Sequence, residues 1–147
     1  MKGFAIKNSS RNNLKQIGDK IILNLINKGI ETKYQILGNY IFLETKEDIN
    51  YNKLIEQETH NGKLSTAKKE DIFEKIKELI SILDEPQTFA IKVNRKGEHK
   101  YTSTEIAKDL ASAPFEKWPN IKVNLDNPDL EINVQIINNR SIIYLRN

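Results

Sequence analysis

The side chains able to do chemistry in this sequence are few. Two histidines, His60 and His99, stand far apart, and there is no cysteine. Thiolate nucleophiles, iron–sulfur clusters, cysteine zinc sites and disulfides are thereby excluded. Neither H-x-x-x-H nor H-E-x-x-H occurs, so no helix offers a pair of imidazoles to a metal. No G-x-G-x-x-G or G-x-x-x-x-G-K-[ST] cradle is present, and no G-x-S-x-G elbow supports a serine nucleophile. Asn127-Pro128-Asp129-Leu130 begins like the N-P-P-aromatic signature of amino-methylating enzymes. It lacks the second proline and the aromatic, and reads as a turn. His99 beside Glu98 or Glu105 would make a general base, but a surface imidazole next to acids is ordinarily just solvated. The expectation is no catalytic residue, no metal and no cofactor.

What remains is a basic stretch. Lys92, Arg95, Lys96 and Lys100 fall within nine positions that hold a single acid, Glu98. Asn94 to Lys100 reads as a loop after a strand, and Thr102-Ser103-Thr104-Glu105 after it matches a capping box. A helix N-terminus offers unpaired N–H groups and about half a positive charge, so a phosphate gains there in two ways. Arg95, Lys96 and Lys100 would add charge-assisted contacts, Thr102 and Ser103 hydroxyls, and His99 or Tyr101 a ring for an unpaired base. The competing reading is a solvated loop whose helix is capped by its own Thr102, with Glu105 partly neutralising that end.

The elements that must position this stretch follow from hydrophobic spacing. Gly3 to Lys7 reads as a strand, and Leu14, Ile17, Ile21 and Leu25 mark a helix. Ser10, Asn12 or Asn13 caps its start, and Gly29 suits the left-handed position after its end. Tyr34–Leu37 and Tyr40–Leu43 flank Gly38-Asn39, a hairpin turn. With Tyr51 to Glu58 as a second helix, this spells most of a ferredoxin-like unit. His60 to Lys68 is polar, carries Gly62 and reads as a linker. Beyond it, Ile72, Ile76, Leu79, Ile80 and Leu83 line a helix that Pro86 ends. A strand over Thr88 to Val93, a helix through Ile106, Leu110 and Ala113 stopping near Pro114, and a hairpin turning at Asn138-Asn139 complete the chain. Trp118 is expected in the core or at a hinge.

Composition sets the outer bounds. The chain has 147 residues, 38% hydrophobic and 29% charged, with six glycines and four prolines. That is a globular composition. The net charge is +3 and the pI about 9.0. Ten basic and seven acidic residues fall in 1–67, and thirteen of each in 68–147, so the basic character of the second part is local. No apolar run approaches the roughly 18 residues of a membrane span, and Gly3–Ile6 is too short for a signal-peptide core. No membrane association and a cytoplasmic location are expected.

Read as a block, residues 88–147 resemble the core of a THUMP domain. Three features carry the likeness: the strand Phe89–Val93 running into Arg95 and His99, the Ser103-x-Glu105-Ile106-Ala107 helix start, and Val123-Asn124-Leu125 followed by Asn127-Pro128-Asp129. The resemblance implies an α+β protein, with an N-terminal ferredoxin-like unit (1–60) packed on an α/β THUMP domain (61–147). It also implies a tRNA partner. The residues expected to touch RNA are Lys92, Arg95, Lys96, His99, Lys100, Tyr101 and Ser103, joined by Lys7 and Arg11 of the first unit. Asp129, an acid, is assigned to holding its loop. Family enzymes append a catalytic domain, whereas this sequence stops at Arg146-Asn147. The first expectation is therefore an adaptor presenting tRNA to a separate modifying enzyme, a cytidine acetyltransferase. The alternatives are the N-terminal part of a 4-thiouridine synthetase or guanosine methyltransferase, and a protein-interaction scaffold without RNA.

Overall fold

A computed structural model describes residues 2–7, 13–46 and 58–147. The protein is α+β and divides into two compact units, Met1–Gly62 and Lys63–Asn147.

In the first unit, β1 (Lys2–Lys7), α1 (Leu14–Asn27), β2 (Thr32–Leu37), β3 (Tyr40–Thr45) and the start of β4 (His60–Thr66) follow in sequence. The strands order as β2-β3-β1-β4, with β1 antiparallel to β3 and β4, and β2 antiparallel to β3. Strand β3 thus separates β1 from β2, the split arrangement that makes this unit ferredoxin-like. Leu14, Ile21 and Leu25 of α1 bury against Phe4, Ile6, Ile41 and Leu43 of the sheet. The hairpin turn takes a positive φ at Gly38 only, which leaves Asn39 in an ordinary conformation. The helix expected over Tyr51 to Glu58 and the capping candidates Ser10 and Asn12 lie outside the described residues. Asn13 stands at the N-cap of α1 but makes no side-chain cap.

The expected linker is instead β4. His60 and Asn61 pair with Ala5 and Phe4, and at the other end Thr66 accepts a bond from Ser141 Oγ at 2.9 Å. Polar residues and a glycine read as a loop by propensity, but tertiary pairing overrides propensity in strands.

The second unit continues with α2 (Lys69–Ile80), β5 (Thr88–Lys96), α3 (Ser103–Leu110), α4 (Ser112–Lys117), β6 (Lys122–Val123), β7 (Leu130–Ile137) and β8 (Arg140–Arg146). Strand β7 lies between β8 and β5, antiparallel to the first and parallel to the second, and β5 pairs in parallel with the short β6. One sheet face (Phe89, Leu130, Ile132, Val134, Ile136, Ile143, Leu145) meets Ile72, Ile76, Ile106 and Leu110 of the helices. Each such buried side chain contributes about 1.5–3 kcal/mol of transfer free energy. Trp118, only 6% exposed, is part of this core.

Several boundaries differ from expectation. Helix α2 stops at Ile80, where Ser81 Oγ donates to the Glu78 carbonyl at 2.6 Å, well before Pro86. The expected helix ending near Pro114 is two helices meeting at Ala111. Pro114 sits in the first turn of α4, where its missing N–H costs no helical bond. Strand β5 runs on to Lys96, so Asn94, Arg95 and Lys96 are strand residues and not loop. No described helix is long and apolar enough to cross a membrane.

Candidate nucleic-acid interface

The C-terminal ends of the parallel strands β5 and β7 lie at one end of the second unit. In parallel sheets this is where ligands gather, because the following helix N-termini point there. Helix α3 starts here with Thr102 as N-cap, its hydroxyl accepting from Glu105 N at 3.1 Å. One half of the expected capping box is therefore formed. An open cleft is lined by Lys68 and Lys69 at the start of α2, by His99, Lys100 and Tyr101, and by the β7–β8 turn, Asn138-Asn139.

Arg95, half-buried at the end of β5, donates from Nη1 to His99 Nδ1 (2.8 Å) and to the Gly97 carbonyl (3.3 Å). His99 Nε2 lies 2.6 Å from the Asn138 carbonyl. A carbonyl only accepts and a guanidinium only donates, so both contacts are satisfied by one form, the neutral imidazole with its proton on Nε2. Tyr101 stacks on that ring, centroids 5.4 Å apart and planes 15° off parallel, and its hydroxyl donates to the Ala67 carbonyl. Burial pushes the Tyr101 hydroxyl pKa up, against the nearby Arg95 charge that pulls it down.

Charge around the cleft is mixed. Glu70, Glu98, Glu105 and Asp109 share its lining with the lysines, and Lys69 is paired to Asp109 at 3.3 Å. Among the described residues, Lys68, Lys96 and Lys100 form no ion pair, which leaves them available to an anion. Lys68 and the turn asparagines carry no local motif, and only the folded chain brings them beside Lys100.

The other expected contacts scatter. Lys92 sits mid-strand, on the face of β5 opposite Arg95, and is tied to Glu131 at 3.0 Å. Ser103 opens α3 toward a different, apolar groove lined by Ile91, Val93 and Leu125. Lys7 is the exposed last residue of β1 in the first unit. Arg11 lies outside the described residues. Asp129 holds its loop as assigned: its carboxylate accepts from Gln87 N at 3.1 Å, and its own N–H donates to Thr88 Oγ1 at 3.0 Å. Asn124 Oδ1 closes the preceding turn by accepting from Asp126 N and Asn127 N. No group of three or more His, Asp or Glu able to hold a metal ion occurs among the described residues.

Residues 66–146 match the THUMP domain family. The chain is a THUMP protein. A tRNA sulfurtransferase of Vibrio campbellii is 36% identical over 70 residues, covering 48% of this chain and 14% of its own length. One from Thermoplasma volcanium is 26% identical over 130 residues, covering 87% and 27%. The chain thus spans about a quarter or less of these relatives. Among solved structures, a 4-thiouridine synthetase–RNA complex with bound ATP superposes with a TM-score of 0.76 at 15% identity, over 99% of this chain and 41% of that one. A Pyrococcus horikoshii protein superposes at 0.72 and 18% identity, over 99% and 54%. At those identities the two structures establish a shared fold.

The THUMP domain has one further ionic feature. Burial of Glu131 raises its carboxyl pKa, but hydrogen bonds from Asn133 and Lys92 and the charges of Lys92 and Arg146 outweigh it, leaving the pKa below its ordinary value. A lowered folded pKa stabilises the fold above the unfolded value, and that gain is lost as pH falls through the folded one. Glu131→Gln is therefore expected to lower stability at neutral pH by up to about 1 kcal/mol, its partners being half-exposed. The gap from the parent should close on acidification. Urea melts followed by Trp118 fluorescence check this, and a gap constant with pH would contradict it.

Proposed function

We propose that this chain is the tRNA-binding part of a tRNA sulfurtransferase system, holding a tRNA while the uridine to be thiolated is acted on elsewhere. The observation that carries this reading is the match of 66–146 to the THUMP family together with relatives named tRNA sulfurtransferase. Their names favour it over the cytidine acetyltransferase adaptor expected first. Among the residues lining the cleft, the exposed lysines without ion pairs are suited to anion contact. Lys96 and Lys100, with Lys68 joining them, are the proposed phosphate contacts. Arg95, whose Nη1 is bonded to His99 and Gly97, and His99, with both ring nitrogens bonded within the chain, are removed from that set. With acids interleaved among the lysines, binding is expected to be weak and salt-sensitive, rising from a few phosphate contacts.

A chimera tests the proposal. This chain, fused ahead of the portion of the Thermoplasma relative that it does not cover, should form 4-thiouridine in tRNA supplied with ATP and a sulfur donor. That portion alone should form little. Equal yields with and without the chain would sink the sulfurtransferase reading. Restoration of 4-acetylcytidine on adding the chain to a separate acetyltransferase would replace it with the adaptor.

A further inference from the structure

We infer that Arg95 and His99 are positioning residues that clamp the 97–100 loop onto the β7–β8 turn, and so set where Lys100 presents its charge to RNA. The inference rests on the tRNA-binding reading for its consequence, but not for the clamp itself.

Four chain segments meet at His99. Its Nδ1 takes a bond from Arg95 at the end of β5, and its Nε2 donates to Asn138 in the turn. One ring face is covered by Tyr101, whose hydroxyl is bonded to Ala67 between β4 and α2. The backbone repeats the same links: Asn138 N donates to the Lys96 carbonyl at 2.9 Å, and Ala67 N donates to the Asn139 carbonyl at 3.0 Å. Gly97 (φ +99) closes the loop against Asn138 (φ +54), so closely that a Cβ on Gly97 would stand 2.5 Å from Asn138 Oδ1. A left-handed φ and that approach together favour glycine and strain any other residue.

A loop this constrained has one register. Both ring nitrogens of His99 are spent inside the protein, so the ring has no hydrogen bond left for a base. The Arg95 Nη1 is likewise occupied, and its Nε is enclosed without a partner. Lys100 follows His99 directly and stands exposed on the cleft, so whatever fixes the imidazole fixes the root of the lysine. A rigid root lowers the entropy that ordering the loop on RNA would otherwise cost.

Salt-dependent binding to total tRNA and amide hydrogen exchange on free protein separate a positioning role from a contact. Lys100→Ala should reduce the slope of log affinity against log salt by roughly 0.7–0.9, the value of one phosphate. His99→Ala should weaken binding several-fold at every salt with the slope unchanged. It should also speed exchange at 97–101 and 138–139 in the absence of RNA. His99→Gln, whose amide can accept from Arg95 and donate to Asn138, should recover most of both. A full phosphate's loss of slope in His99→Ala would overturn the inference by making His99 a contact. Unchanged exchange in His99→Ala, or exchange as fast in His99→Gln, would overturn the clamp. Absent tRNA binding by the parent chain would defeat the tRNA reading alone, since the exchange measurement still decides the clamp.

Discussion

Reversing both lysines that flank the clamped loop, Lys96→Glu with Lys100→Glu, is expected to weaken tRNA binding by about 100-fold near physiological salt. Residues 68–147 hold as many acids as bases, so no general field draws RNA to this domain and only local free cations can. Lys96 and Lys100 are exposed and lack ion pairs among the described residues. Losing one phosphate contact changes affinity about fivefold at that salt, and each reversal adds repulsion where Glu98 and Glu105 already stand. The converse change sharpens the test. Glu98→Gln, which removes an acid from the same loop, should tighten binding by about two- to fivefold. A gel-shift or fluorescence titration at two salt concentrations reads both. If the double reversal binds within about threefold of the parent, the RNA surface lies elsewhere on the chain. Contacts to backbone phosphates, as proposed for these lysines, would affect all tRNAs alike, with no change of preference among them.

Phe89→Ala is expected to produce the largest loss of stability, about 3–5 kcal/mol. Phe89 is 1% exposed at the start of β5 and meets Phe115 edge-on, with centroids 5.2 Å apart and planes at 81°. It sits where β5 pairs with both β6 and β7, so its ring is enclosed by sheet and helix together. Truncation removes the transfer free energy of the ring, leaves a cavity that a rigid sheet cannot close, and loses the aromatic pair. Domains are typically stable by only about 5–15 kcal/mol, so this is a large share. Trp118 is the single tryptophan and lies in the same core, so its fluorescence reports the unfolding of this unit. The urea midpoint should fall by about 1–3 M with the slope unchanged. A shift below about 0.3 M would mean the site collapses around the missing ring. Far-ultraviolet dichroism at low urea distinguishes a destabilised fold from one that never forms.

Much of the architecture is written in local spacing. Leu14, Ile21 and Leu25 place one stripe on α1, and Leu130, Ile132, Val134 and Ile136 alternate as a half-buried strand must. Thr102 caps α3 because its hydroxyl meets an N–H three residues on, a contact that needs no distant partner. Asn138 takes its turn for the same local reason, since asparagine tolerates a positive φ. These features depend on near neighbours, and the order of such features along 88–147 is what makes the THUMP resemblance readable at all.

What the sequence could not supply are the pairings between distant segments. Strand β4 looks like a linker because its polar residues state no preference, and its structure comes from Phe4 and Ala5 pairing with its first residues and Ser141 bonding to its last. The break between α3 and α4 at Ala111 and the end of α2 at Ile80 leave the apolar spacing unbroken, so periodicity does not encode them. The site shows the limit most plainly. By residue type Arg95 and His99 are the obvious RNA contacts, yet His99 donates to a carbonyl 39 residues away. That carbonyl is within reach only because β5 and β7 pair in parallel with Lys96 opposite Ile137. Residue chemistry determined which groups could bind an anion, and strand register decided which of them were already taken.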